Sequence, residues 1–243
     1  MRRKEDSNVS VHTTRLLDEM RNGIYASVSM LPPETEIAER FSVSRTMIRD
    51  CLAILDREGF ISRKRGLGTI INRHVLNVRT RIDLEKEFSE IIKDEGYEPK
   101  ASVLDYWLFY PDDRLSERLM INPGDEALAI ERVIWAGDEP AIYCIDYVPG
   151  HLFKKESLDP ELVKRPVFDF LAEACDEYVY MDLTEISAIN ATGKAAKELQ
   201  LPDGTPVLKL DERGFSFSGH VVLFAEEYYR QGRITHTLLR KKI

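Results

Sequence analysis

The stretch between Pro32 and Asn72 constrains this chain more than any other. Pro32-Pro33 opens a helix over 34–41, since a proline in a first helical turn loses only an N–H that would be unpaired there. Ile37, Ala38 and Phe41 fall on one face of it, and Ser42-Val43 makes a short turn. Ser44 is an N-cap for a helix running to about Glu58, in which Ile48, Cys51, Leu52 and Leu55 keep the spacing of an apolar stripe. Gly59 stops it. Residues 61–72 then read as two short strands around a basic tip that contains glycine. An earlier helix over 12–22, with Leu16, Leu17 and Met20 as its stripe, ends at Gly23. Three helices and a hairpin in this order form a helix-turn-helix with a wing.

The third helix carries Arg45, Thr46 and Arg49 opposite its apolar stripe. Spaced one turn apart, the two arginines project from one face, in the half of the helix that such folds present to base edges. Arginine forks to guanine, while threonine and a helix N-terminus suit phosphate. The tip of the hairpin adds Arg63, Lys64, Arg65, Gly66 and Gly68. Its cations pair with phosphate and its glycines allow close approach to a groove. An arginine on an exposed helix is commonly a solvated charge, so the joint arrangement points to a duplex, rather than any single residue.

Charge supports the division. The chain has 34 Lys and Arg against 42 Asp and Glu, a net of −8 that alone argues against a polyanion partner. Residues 1–76 hold 13 against 10, however, a net of +3, so the acid lies in the remainder. No 18-residue apolar run is present, and MRRKEDSNVS lacks the apolar core of a secretion signal. Cys51, Cys144 and Cys175 make neither a disulfide framework nor a CxxC site, and His12, His74, His151, His220 and His236 form no ligand pattern. A soluble cytoplasmic protein without metal or cofactor is expected.

The segment LPPETEIAERFSVSRTMIRDCLAILDREGFISRKRGLGTII resembles the winged helix of the GntR regulator family. The resemblance implies DNA contacts at Ser44, Arg45, Thr46, Arg49, Arg65 and Gly66. Thr35, where the family usually has arginine, and Met47, in place of a common threonine, depart from the pattern.

Past a linker over 77–82, residues 83–243 alternate helices with hairpins. Helices are expected over 84–95, 115–119, 167–174 and 192–199. Strands are expected over 101–109, 128–135, 141–148, 178–189, 207–217, 221–229 and 234–239. No internal repeat is evident. Such a mixture implies an α+β domain, an antiparallel sheet with helices on one face. Gly96-Tyr97-Glu98-Pro99, Glu131-Arg132, Tyr147-Val148-Pro149, 199–206 and Tyr228-Tyr229-Arg230 resemble the UTRA domain of the HutC subfamily. That resemblance implies a chorismate-lyase-like fold, dimerisation through the sheet and a small-molecule effector in a pocket on the sheet. Arg132, Asp146, Glu185, Tyr228 and Arg230 are the candidate effector contacts. Each has a plain structural alternative as well: Arg132 in a cross-strand ion pair, Tyr228 in a core, Arg230 on the surface. Ile134, Pro166, Phe168, Cys144 and Leu223 stand where relatives that bind sugar phosphates carry polar groups. A smaller or more apolar effector follows, with one anionic group for Arg132.

The expectation is therefore a homodimeric transcriptional regulator, in the sense of a repressor, reading palindromic double-stranded DNA. The competing reading is an enzyme on the same fold with a DNA-binding head, but no motif such as GxSxG places a nucleophile.

Overall fold

The computed structural model describes residues 2–64, 66–153 and 158–241, with side chains from residue 8 onward. It divides into two compact units, Met1–Arg81 with Leu238–Ile243, and Ile82–Thr237. Residues 234–239, expected as a last strand, form none, and the chain past Thr237 belongs to the first unit. There Lys241 Nζ donates to the carbonyl of Arg57 at 3.0 Å. Among the described residues, no helix is long and apolar enough to cross a membrane.

In the first unit α1 (Arg2–Arg21) is longer than its apolar stripe suggested. Leu16 and Met20 on that stripe are fully buried. Strand β1 (Met30–Leu31) leads into α2 (Glu34–Phe41), whose first turn holds Glu34 and Glu36, favourable beside the positive helix end. Ser42 closes α2 in the left-handed conformation at φ 55°, and the N–H of Val43 reaches back to the Ala38 carbonyl at 3.0 Å. Helix α3 (Arg45–Arg57) buries Ile48, Cys51, Leu52 and Leu55. Strands β2 (Ile61–Lys64) and β3 (Gly68–Ile71) form the wing, and β1 pairs with β3 as a third strand that the sequence did not announce. Ahead of the segment 77–82, α4 (Arg73–Leu76) buries Val75 and Leu76.

The second unit is built on a six-stranded antiparallel sheet. Helix α5 (Phe88–Asp94), shorter than expected, precedes β4 (Pro99–Phe109). Then come α6 (Asp113–Leu119), β5 (Ala127–Ala136), β6 (Glu139–Pro149), α7 (Pro160–Val163) and α8 (Val167–Ala174). Strand β7 (Met181–Ala191), α9 (Gly193–Glu198), β8 (Thr205–Phe215) and β9 (Val221–Tyr229) complete it, in the order β4-β5-β6-β9-β8-β7.

This order holds a repeat. Strand, helix and hairpin occur once as β4-α6-β5-β6 and again as β7-α9-β8-β9. Met120 and Gln200, both at φ 53°, end the two helices in the left-handed conformation, and Gly124 and Gly204 follow at φ 90° and 86°. The repeat escapes a reading of composition because turn geometry and strand register carry it, not side-chain identity. The expectation of helices on one face also fails. Helices α5, α7 and α8 pack over Ile130, Ile134, Ile142, Val148 and Leu223, while α6 and α9 cover the other face at Val133, Tyr143, Val207 and Phe224. Nearly every position of β5 is buried, so its two-sided burial leaves no apolar–polar alternation to read.

Candidate functional sites

The first site is built on α3. Ser44, extended at φ −70° and ψ 153°, accepts a hydrogen bond on Oγ from the Met47 N–H at 3.1 Å and so satisfies one of the helix's unpaired donors. Arg45, Thr46 and Arg49 are exposed. The first turn contains no acidic residue, so the positive end of the helix dipole is unopposed. The apolar stripe fixes the helix by its back and the cationic face is left to solvent. In the wing, Gly66 takes φ 83° and is exposed. Arg65 lies outside the described residues. A cross-brace joins the two parts: Glu34 accepts from Arg63 at 2.7 Å and lies 3.5 Å from Arg49. Sequence reasoning left Glu34 out, and only the fold brings it between a helix arginine and a wing arginine.

The second site is a cavity of about 120 Å³ on the face of the sheet under α5, α7 and α8. Arg132 and Asp146 line it, as do Glu87, Phe88, Ile134 and Val167. The two candidates from the sequence form an ion pair with side chains only 4% and 1% exposed. Arg132 Nη2 also donates to the carbonyls of Val163 and Arg165 at 3.0 and 3.2 Å, while its Nε is buried without a partner. Burial pulls the guanidinium below its ordinary value.

A smaller recess shares Glu87, Phe88, Asp146 and Val167 with this cavity and adds Glu85, Asp182, Glu212 and Glu227. Glu227 is 4% exposed. Tyr229 donates to one of its oxygens at 2.5 Å, and Thr184 donates to Glu212 at 3.4 Å. Burial, followed by repulsion from neighbouring carboxylates, pushes Glu212 up to about 9. Burial pushes Glu227 up to about 8 and Asp182 to about 6. Glu87 rises to about 7, from burial first and Asp169 second. Near pH 7 Glu212 and Glu227 are therefore mainly neutral acids.

The remaining sequence candidates stay away from the cavity. Glu185 is exposed and takes both guanidinium nitrogens of Arg118 at 2.8 and 2.9 Å. Tyr228 stands on the other face of the sheet, its ring centroid 5.6 Å from that of Tyr143. Arg230, past the end of β9, pairs with Glu139 at 3.2 Å. Sequence reading passed over the acidic residues of the recess, since Glu212 stands among Lys209, Asp211 and Arg213 and Glu227 beside Glu226, and only the strand register tells which of them face inward together. Among the described residues no three His, Cys, Asp or Glu side chains are placed to hold a metal ion.

Residues 94–235 match the UTRA domain, and residues 13–71 match the bacterial regulatory proteins of the gntR family. The chain is 21% identical over 224 residues to the HTH-type transcriptional regulator YurK of Bacillus subtilis, covering 92% of this chain and 91% of that protein. It is 25% identical over 221 residues to the HTH-type transcriptional repressor NagR of Bacillus subtilis, covering 91% and 89%. The crystal structure of the regulator YydK from Bacillus subtilis superposes with a TM-score of 0.77 at 18% identity, over 96% of this chain and 99% of that one, a likeness of fold.

Proposed function

The chain belongs to the GntR family of bacterial regulatory proteins and carries a UTRA domain, and from this we propose that it is a homodimeric repressor of a palindromic operator, relieved by a small molecule in the cavity beside Arg132. It is a DNA-binding transcriptional regulator and not an enzyme, as its relatives are. The observation that carries the reading is the exposed set Arg45, Thr46 and Arg49 on a helix capped by Ser44, followed by a wing with Gly66. The name of NagR supports the sense of repression.

Dimerisation is supported by the two sheet edges. Strands β4 and β7 each run eleven residues and expose Tyr106, Trp107, Met181, Leu183 and Ile186, surface that a second copy would cover. A two-fold protein reads a two-fold site.

The test is fluorescence anisotropy on DNA from upstream of the protein's own gene, with sedimentation to fix the stoichiometry. Arg49→Ala should weaken specific binding by roughly 1–3 kcal/mol and blur the preference at one base pair. Unchanged affinity of Arg49→Ala for a mapped operator would remove α3 from the interface.

A further inference from the structure

The two halves of the sheet can be laid on one another through their ladders. In the first half Arg132 on β5 pairs with Cys144 on β6, and Asp146 lies two residues further along. In the second half Glu212 on β8 pairs with Ala225 on β9, and Glu227 lies two residues further along. Glu212 thus occupies the position of Arg132, and Glu227 that of Asp146. The first half holds a guanidinium and a carboxylate that neutralise one another. The second holds two carboxyls and no cation.

Among the described residues lining the recess, Lys86 alone carries a positive charge, and it is committed elsewhere. Glu85, Asp182, Glu212 and Glu227 make no ion pair among the described residues. Lys86, which lines the recess, has its ammonium engaged with Asp94 at 2.5 Å. Glu227 is nine-tenths buried and lines the recess with one oxygen taken by Tyr229 and the other without a partner; Asp182 Oδ2 is buried and also unpartnered. Unpaired carboxyls inside a protein are costly, and such sites persist where a ligand completes them.

We propose that the effector of this regulator is a small organic cation, bearing a protonated primary amine or guanidinium that sits between Glu212 and Glu227 where the other half of the sheet has Arg132. This deepens the effector reading and rests on it. Asp182, Glu212 and Glu227 lie on three strands and Glu85 ahead of α5, and among the described residues no three of them are placed to hold a metal ion, so the head of an organic cation suits them better than a metal. The recess itself holds only about 20 Å³, room for the cationic head, and Phe88 and Val167, which it shares with the 120 Å³ cavity beside Arg132, suit an apolar stem lying there. Three of its acids, Glu85, Glu212 and Glu227, are mainly protonated near neutrality when the recess is empty. A bound ammonium ionises them, so binding releases protons. The charged groups facing the recess are Lys86, Glu85 and Glu87 ahead of α5, Asp146 from β6, Asp182 from β7, Glu212 from β8 and Glu227 from β9.

The test uses the full chain and thermal shift with butylamine, γ-aminobutyrate, lysine and agmatine, set against butyrate and a hexose phosphate. The amines are expected to raise the melting temperature and the others not. Calorimetry near pH 7 in buffers of different ionisation enthalpy should report proton release on amine binding. Glu227→Gln should keep the unliganded melting temperature, because it mimics the protonated acid, and lose about tenfold or more in amine affinity. Glu212→Arg should supply the cation internally, raise the unliganded melting temperature and abolish the amine response. Stabilisation by butyrate or the hexose phosphate alone, or no shift with any amine, overturns the proposal. A non-amine that both stabilises the chain and releases operator overturns the cation and leaves the effector reading standing. Amines that bind yet never alter operator affinity uphold the cation and overturn the effector reading.

Discussion

Replacing Asp146 with leucine strands a charged guanidinium in the interior, and the cost follows from its surroundings. The Arg132 side chain is 4% exposed, and its remaining partners are the Val163 and Arg165 carbonyls at 3.0 and 3.2 Å. Removing one member of such a pair costs about 3–5 kcal/mol, because the partner's charge stays buried and uncompensated. At about 2–4 °C per kcal/mol for a domain of this size, the melting temperature of the effector unit should fall by roughly 6–20 °C. Arg132→Met should cost a similar amount. The double variant should return to within about 2 kcal/mol of the parent, since an apolar pair of similar volume avoids the desolvation and loses mainly two carbonyl hydrogen bonds. Trp107 and Trp135, the chain's two tryptophans, both lie in the effector unit, so urea unfolding followed by tryptophan fluorescence reads that unit alone. A single substitution costing under about 1 kcal/mol, or a double variant no better than the singles, would refute a dry, mutually dependent pair.

Other outcomes are equally open to measurement. Ser44→Ala removes the acceptor for the Met47 N–H and should destabilise the head by about 1 kcal/mol, read from its own unfolding transition. Glu34→Gln releases Arg49 and Arg63 from their shared carboxylate, so binding to random DNA should tighten and its salt dependence steepen, while discrimination for the operator falls; anisotropy at two salt concentrations decides this. Glu212 and Glu227 have folded values near 9 and 8, above the 4.5 of an unperturbed glutamate, so the folded chain holds more protons than the unfolded one between those limits. Stability of the effector unit should therefore be greatest below about pH 4.5 as far as these groups contribute, and should fall as pH rises towards 9; Glu212→Gln should flatten that fall in urea midpoints.

Much of the head was legible because its signals are local. A proline pair, a serine cap, a helical apolar stripe and a glycine stop each act within a few residues, and α2 and α3 lie where those signals put them. The third strand of the wing and the Glu34 brace were not legible, since each joins residues far apart in sequence that only packing brings together. The same division runs through the effector unit. Strands and hairpins announced themselves by turns and apolar runs, and Arg132 and Asp146 were candidates through the resemblance to the UTRA domain. Glu185, Tyr228 and Arg230 looked equivalent to them, yet Glu185 and Arg230 are held in ion pairs with Arg118 and Glu139 and Tyr228 lies on the opposite face. Which face a strand residue occupies depends on register, and one residue of slip reverses it. The sequence by itself determined the class of protein, a winged helix joined to an effector-binding sheet, because short-range propensity and motif spacing place the elements and the motifs carry a resemblance to the GntR and UTRA families. Tertiary structure alone decided the twofold repeat of the sheet and the pairing of Arg132 with the position of Glu212, because strand ladders convert distant residues into neighbours with equivalent places and opposite charges.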